Sequence, residues 1–280
     1  MNLETHLLLI NCPDQKGLTA GITRVLYESD QNLLQIKEHV DEVSAHYYIR
    51  ITFTGSIQPD DLLRKLKNAL PAGTGITLDP RQKKEIVVMA TKEYHCLSDL
   101  LIRNHFGELN ANIKAVIANR PELGEITEKL GIPFHCISHE AKSREAFEEE
   151  MFEKVESYDP DYVVLAKYMR IISPEYIRRF KHRIINIHHS FLPAFIGANP
   201  YKQAHDRGVK LIGATAHFVT EDLDEGPIIT QKIIQADHSF SASAMRKAGQ
   251  EVERMVLAEA LRQVFEDRVF VTGNKTVIFS

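Results

Sequence analysis

An asparagine and a histidine two positions apart, Asn186 and His188, sit in the apolar run that opens at Ile184, and the segment stops soon after at Pro193. Alternate side chains of a strand project to the same face, so an amide and an imidazole at this spacing point at one spot. Open α/β sheets bind their ligands in the crevice beyond the carboxyl ends of the strands. Further along, residues 220–227 form a carboxylate-rich loop between two more apolar runs, and this loop can swing Asp224 onto the same place. An amide donor, an imidazole and a carboxylate suit acyl chemistry at a carbonyl, which needs an oxyanion stabilised and protons moved. Taken singly, each has a plainer reading. An Asn at a strand end forms turns, an Asp before Gly-Pro solvates a loop, and most of the 13 histidines must be structural or on the surface. His188 and His189 are adjacent and face opposite sides of a strand, so no metal is expected to take both, and none is expected at all.

The elements that must position these groups fall into two halves. Residues 1–80 read as a compact βαββαβ unit. His6 to Ile10 make a strand, after which Leu18, Ile22, Val25 and Leu26 recur at helical spacing. Residues 33–40 and 46–53 pair as a hairpin, Pro59-Asp60-Asp61 opens a second helix, and residues 76–78 form a last edge strand. Residues 81–84 continue a polar stretch that carries Pro80 and serve as a linker. From 85 to 280 the rhythm changes. Short β-branched runs at 85–90, 113–118, 162–166 and 184–187 alternate with helical patterns, the signature of a doubly wound, mostly parallel sheet. Residues 211–219 and 227–235 pair antiparallel at its end, and a long amphipathic helix over 241–266 closes the half.

Composition narrows the function classes. With 44% hydrophobic and 26% charged residues and a net charge of −4, neither nucleic acid nor an anionic membrane is an expected partner. No apolar run approaches a membrane span, and the first residues lack the basic region of a secretory signal. The three cysteines, Cys12, Cys96 and Cys136, form no CxxC pair, which suits free thiols in the cytoplasm.

The second half resembles the formyltetrahydrofolate-dependent formyltransferase family. Leu165 to Pro174, Leu-Ala-Lys-Tyr-Met-Arg-Ile-Ile-Ser-Pro, is similar to the family's pterin-binding loop, and Asn186-Ile187-His188 and Asp224-Glu225-Gly226-Pro227 are similar to its catalytic elements. The resemblance implies catalytic roles for Asn186, His188 and Asp224. Two departures point within the family. The transferases cradle a substrate phosphate with a glycine- and serine-rich loop after the first strand. Here that loop reads Thr91-Lys92-Glu93-Tyr94-His95-Cys96-Leu97, without glycine and with a carboxylate. His189 stands where the transferases usually carry Pro. Both differences, with the segment from Phe191 to Ala198, resemble the deformylase branch, whose members hand the formyl group to water. In the first half, Asp14-x-x-Gly17-Leu18 and Asn32-Leu33-Leu34 resemble an ACT domain, the ferredoxin-like module that deformylases carry ahead of the catalytic one.

The implied activity is hydrolysis of 10-formyltetrahydrofolate to formate and tetrahydrofolate, with the folate as substrate and no cofactor. The alternative is a formyl transferase acting on a small amine. Leu165, Met169, Arg170 and Ile172 are expected around the pterin, with Gly213 and Thr215 either letting a ligand approach the backbone or packing against a neighbour. Asp14, Gly17 and Asn32 either frame an amino-acid effector site or simply form turns. ACT-like sheets commonly pair edge to edge, so a homo-oligomer is expected. Whether His188 or Asp224 takes the proton from water stays open at this point, as do the roles of Lys92 and His189.

Overall fold

The computed structural model describes residues 4–80, 83–193 and 200–280. Part of the linker and of the segment after Pro193 lies outside them. The chain divides into two compact units.

In the first, β1 (Thr5–Pro13) leads into α1 (Leu18–Glu28), a hairpin of β2 (Asn32–Asp41) and β3 (His46–Thr54) follows, and α2 (Pro59–Ala69) returns to β4 (Gly75–Leu78). The four strands lie in the order β2-β3-β1-β4, all pairs antiparallel. Gly17 caps α1 with φ 88°, a left-handed conformation that costs glycine nothing. Alternate residues of β1 are buried. Leu8 and Ile10 therefore meet Ile22 and Leu26 of α1 and Leu66 of α2 in one core. This is the ferredoxin-like arrangement that the sequence implied.

The second unit begins with β5 (Lys84–Ala90), α3 (His95–His105), β6 (Ala111–Ala118), α4 (Gly124–Lys129) and β7 (Phe134–Cys136). It continues through α5 (Arg144–Glu156), β8 (Tyr162–Ala166), α6 (Pro174–Arg179), β9 (Ile184–His188) and α7 (Pro200–Asp206). The antiparallel pair β10 (Leu211–Phe218) and β11 (Ile228–Gln235) and the long α8 (Ala242–Phe265) complete it. The sheet order is β11-β10-β9-β8-β5-β6-β7, with the strands from β5 to β9 parallel. Buried, β-branched β5 and β8 form its centre. Ser143 and Ser241 start α5 and α8 by accepting from the amides of Ala146 and Ala244, each at 3.1 Å.

From β5 the chain builds outward to β6 and β7, then crosses back to place β8 on β5's other side. That reversal opens a crevice at the carboxyl ends of β5 and β8, which is where doubly wound sheets seat ligands.

Two features differ from the sequence expectation. The short β7 was not anticipated, because three residues are too few to show a period. The chain also closes with two strands, β12 (Val269–Thr272) and β13 (Lys275–Ile278). Asp267–Thr272 and Val277–Ser280 belong to the first unit, although residues 85–280 read as one domain. Among the described residues, no helix is long and apolar enough to cross a membrane.

Candidate active site

The carboxyl ends of β8 and β9 and the loop after β10 enclose a cavity of about 230 Å³, and Asn186, His188 and Asp224 all line it. β9 stays in register with antiparallel β10, so Asn186 lies opposite His217 and His188 opposite Thr215. Ile187, between them, is buried. The loop carrying Asp224 is tied at both ends. The Phe218 amide donates to the Pro227 carbonyl at 2.9 Å, and the Val219 amide to Ile184 at 2.9 Å. Gly226 makes this path possible: a Cβ there would lie 1.8 Å from the Phe218 oxygen. Asp224 itself holds φ 58°, a left-handed conformation that aspartate tolerates better than most residues.

In this arrangement Asp224 Oδ1 lies 3.3 Å from His188 Nδ1 and 3.8 Å from His217 Nε2. The bond to His188 pulls the Asp224 carboxyl below its usual range, against burial, so it is ionised at neutral pH. His188 is buried, and its Nε2 has no partner among the described residues. One ring nitrogen is thus held by a carboxylate while the other is left for a reacting molecule.

His217 was not singled out from the sequence. Its Nδ1 must donate to the Phe218 carbonyl, 3.0 Å away, because a carbonyl only accepts. Burial lowers its pKa, so the ring is neutral and Nε2 accepts from the Asn186 amide at 3.3 Å. This fixes which end of the Asn186 amide is nitrogen. Finding His217 needed the β9–β10 register, which the sequence does not display.

The remaining expectations divide. Leu165, Met169, Arg170 and Ile172 line the cavity. Arg170 also stacks over the Phe147 ring at 5.2 Å, and the Met169 amide donates to Thr91 Oγ1 at 3.1 Å, joining the loops after β8 and β5. Gly213 and Thr215 are not among the lining residues. A Cβ on Gly213 would lie 2.3 Å from the Lys232 oxygen of β11, so close strand packing explains the glycine. Thr215 is fully buried; its hydroxyl donates to the Ser190 carbonyl at 2.9 Å and accepts from the Leu192 amide at 3.1 Å. It shapes the turn after β9 rather than the cavity. In the first unit Asp14, Gly17 and Asn32 are all exposed.

Nor do His188 and His189 point wholly apart. Strand alternation stops at His188, and their rings lie 5.0 Å from each other, both lining the cavity. Burial, with Lys167 and His188 nearby, pushes His189 down to about 4. Glu93, the carboxylate of the loop after β5, is engaged by Arg246 at 2.6 Å and Gln250 at 3.1 Å.

Residues 84–261 match the formyl transferase family model and residues 6–71 the ACT domain model. A formyltetrahydrofolate deformylase of Haemophilus influenzae is 49% identical over 276 residues, 99% of each chain. One from Bacillus subtilis is 41% identical, spanning 100% of this chain and 95% of its own. Among solved structures, a formyltetrahydrofolate deformylase from Pseudomonas syringae superposes with a TM-score of 0.93 at 41% identity, covering 99% of this chain and 94% of its own. A glycinamide ribonucleotide transformylase from Symbiobacterium toebii gives 0.68 at 31% identity, over 72% of this chain and 96% of its own.

Two predictions follow from the geometry. Gly226→Ala must push the Asp224 loop off β10; turnover is expected to fall about 10²-fold, the scale of an ångström misplacement in an active site. A folded variant with normal turnover would defeat this account. His189 takes up a proton near 6.5 when unfolded but only near 4 when folded. The unfolded state therefore holds more protons between those values, and stability falls as pH drops through that window. In His189→Gln the decline in thermal midpoint from pH 6.5 to 4 should be shallower than in the wild type; parallel declines would refute it.

Proposed function

The chain belongs to the formyltetrahydrofolate deformylase family, and from that footing we propose that it hydrolyses 10-formyltetrahydrofolate to formate and tetrahydrofolate. The observation that carries the reading is the buried His188 ring, with Nδ1 against an ionised carboxylate and Nε2 unpartnered at a cavity shared with the Asn186 amide.

The formyl group on N10 is an amide, and hydrolysis runs in two stages. Water bonds to the formyl carbon as its proton passes to His188 Nε2. Asp224 keeps the His188 proton on Nδ1 and stabilises the imidazolium that forms. Negative charge gathers on the formyl oxygen, where an amide donor such as Asn186 is worth roughly 3–4 kcal/mol. His217 takes one hydrogen of the Asn186 nitrogen and leaves the other for that oxygen. The C–N10 bond then breaks as Nε2 returns its proton to N10, releasing formic acid, which gives up the second water proton to solvent and leaves as formate. Both transfers use one nitrogen, which is why Nε2 must have no other partner. Leu165, Met169, Arg170 and Ile172 surround the pterin, with no cofactor or metal in any step.

The three free cysteines suit a reducing compartment, and we assign the enzyme to the cytoplasm, where its formate would supply purine biosynthesis and its hydrolysis would balance the one-carbon folate pool. The ACT unit is the regulatory half. Asp14, Gly17 and Asn32, exposed in a single copy, would frame an amino-acid site between paired copies of a homo-oligomer.

Purified enzyme given 10-formyltetrahydrofolate alone should release formate and tetrahydrofolate in equal amounts; strict dependence on an amine acceptor would sink the reading in favour of transfer. Asn186→Ala should lower kcat about 10²–10³-fold. His188→Ala and Asp224→Ala should each lower it about 10²–10⁴-fold, and near-normal turnover in folded Asp224→Ala contradicts its role. For the first unit, calorimetric titration with single amino acids should give heat and a change in rate with at least one. Neither with any of them removes the effector site.

A further inference from the structure

Beside the catalytic cavity lies a second, of about 570 Å³, and three residues line both: Lys167, Met169 and His189. These residues partition the two spaces. Elsewhere the catalytic cavity is bounded by core residues such as Ile172 and Ile177 and by the Asp224 loop. A nucleophile larger than water coming from the second cavity would have to pass between these residues.

Lys167 is an unexpected residue to find there. It is buried, and its φ of 62° is left-handed. That conformation costs a residue with a Cβ roughly 1–2 kcal/mol, and a buried ammonium needs a partner to be tolerated. The partner is Glu253 of α8, 1% exposed, whose Oε2 lies 3.1 Å from Lys167 Nζ. Glu253 also accepts from Tyr201 Oη at 2.6 Å and lies 2.8 Å from His95 Nε2. Burial would raise its pKa, but His95, Lys167 and Tyr201 together bring it to about 2. His95, Cys96 and Glu253 are close enough together to hold a metal. However, both Glu253 oxygens are already engaged, so the cluster serves the lysine instead. Neither packing nor backbone preference selects a lysine at this position.

We propose that Lys167 determines the acceptor: anchored by Glu253, its side chain and charge close the route from the second cavity to the formyl carbon, so that water is the nucleophile and amines are shut out. The inference rests on the hydrolytic reading above and adds the reason for it. In the excluded reaction an amine nitrogen would bond to the formyl carbon, its proton would pass through His188 to N10, and the C–N10 bond would break to leave an N-formylamine and tetrahydrofolate. The same His188 relay would serve it, so the chemistry alone does not forbid it. Access does: the stem of Lys167 fills the passage, and its ammonium disfavours protonated amines in the neighbouring space.

The test measures, in the full-length enzyme, how the formyl group partitions between formate and N-formylglycinamide when 10-formyltetrahydrofolate is supplied with glycinamide, a small primary amine. Lys167→Gly relieves the left-handed backbone and leaves Glu253 paired with His95 and Tyr201. Its ratio of formylated amine to formate should rise about tenfold or more over the wild type, the scale on which pocket shape discriminates. An unchanged ratio in folded Lys167→Gly overturns the proposal. If that variant does not fold, the ratio in Lys167→Asn decides in the same sense, because asparagine is shorter, uncharged and tolerant of left-handed backbone. Formate release by the wild type without amine checks the underlying reading separately. Its failure sinks hydrolysis, whereas an unchanged ratio sinks only the role of Lys167.

Discussion

The contact between Asp224 and His188 Nδ1, 3.3 Å long, is the constraint around which the second unit is arranged. An imidazole can relay protons through one nitrogen only if the other is held, and a carboxylate can hold it only if it stays ionised while half-buried. Three otherwise separate features serve that requirement. Antiparallel β10 sets the depth of β9 and supplies His217 beside Asn186. Gly226 lets the acidic loop lie flat on the Phe218 carbonyl. Thr215 ties down the turn beyond His188 from beneath. None of the three touches the reacting carbon in the proposed mechanism, yet each fixes where one of the reacting groups lies.

Much of this arrangement was legible in the residues alone. The spacing of Asn186 and His188 showed that they share a face, because side-chain period in a strand is local. The alternation of short apolar runs with helical patterns announced the parallel sheet for the same reason. What stayed hidden depends on contacts across the chain. His217 acquires meaning only when β10 is known to run antiparallel to β9 in one register. Glu253 sits near the middle of an amphipathic helix, where a charged residue ordinarily faces water; burial against Lys167, more than eighty positions earlier, is a tertiary fact. Gly213 and Thr215, which the sequence left between ligand approach and packing, show the converse. A glycine and a small hydroxyl in a strand suit ligand approach and tight packing equally well, and the neighbouring strand and turn decided for packing.

Asp224 and Lys167 share a further property: both line the catalytic cavity with left-handed backbone and neither is glycine. Such conformations persist only where the surroundings over-determine them, and they gather at functional sites. Here the strain has identifiable restraints, the loop ties around Asp224 and the buried carboxylate that holds Lys167. The cavity is therefore rigid on two of its sides before any ligand arrives.

The end of the chain bears on how separable the two halves are. Phe270 packs its ring 5.4 Å from that of Tyr48. The Thr272 hydroxyl donates to Asp41 at 3.2 Å, and Arg50 donates to the Asp267 carbonyl at 3.3 Å. The amino-terminal module is thus discontinuous in the gene, its last pieces translated only after the hydrolase half is complete. A ribosome-bound nascent chain cannot finish that module early, and a recombinant fragment cut after residue 82 leaves those three partners behind. Grafting it onto another enzyme would require carrying the carboxyl-terminal strands along with it.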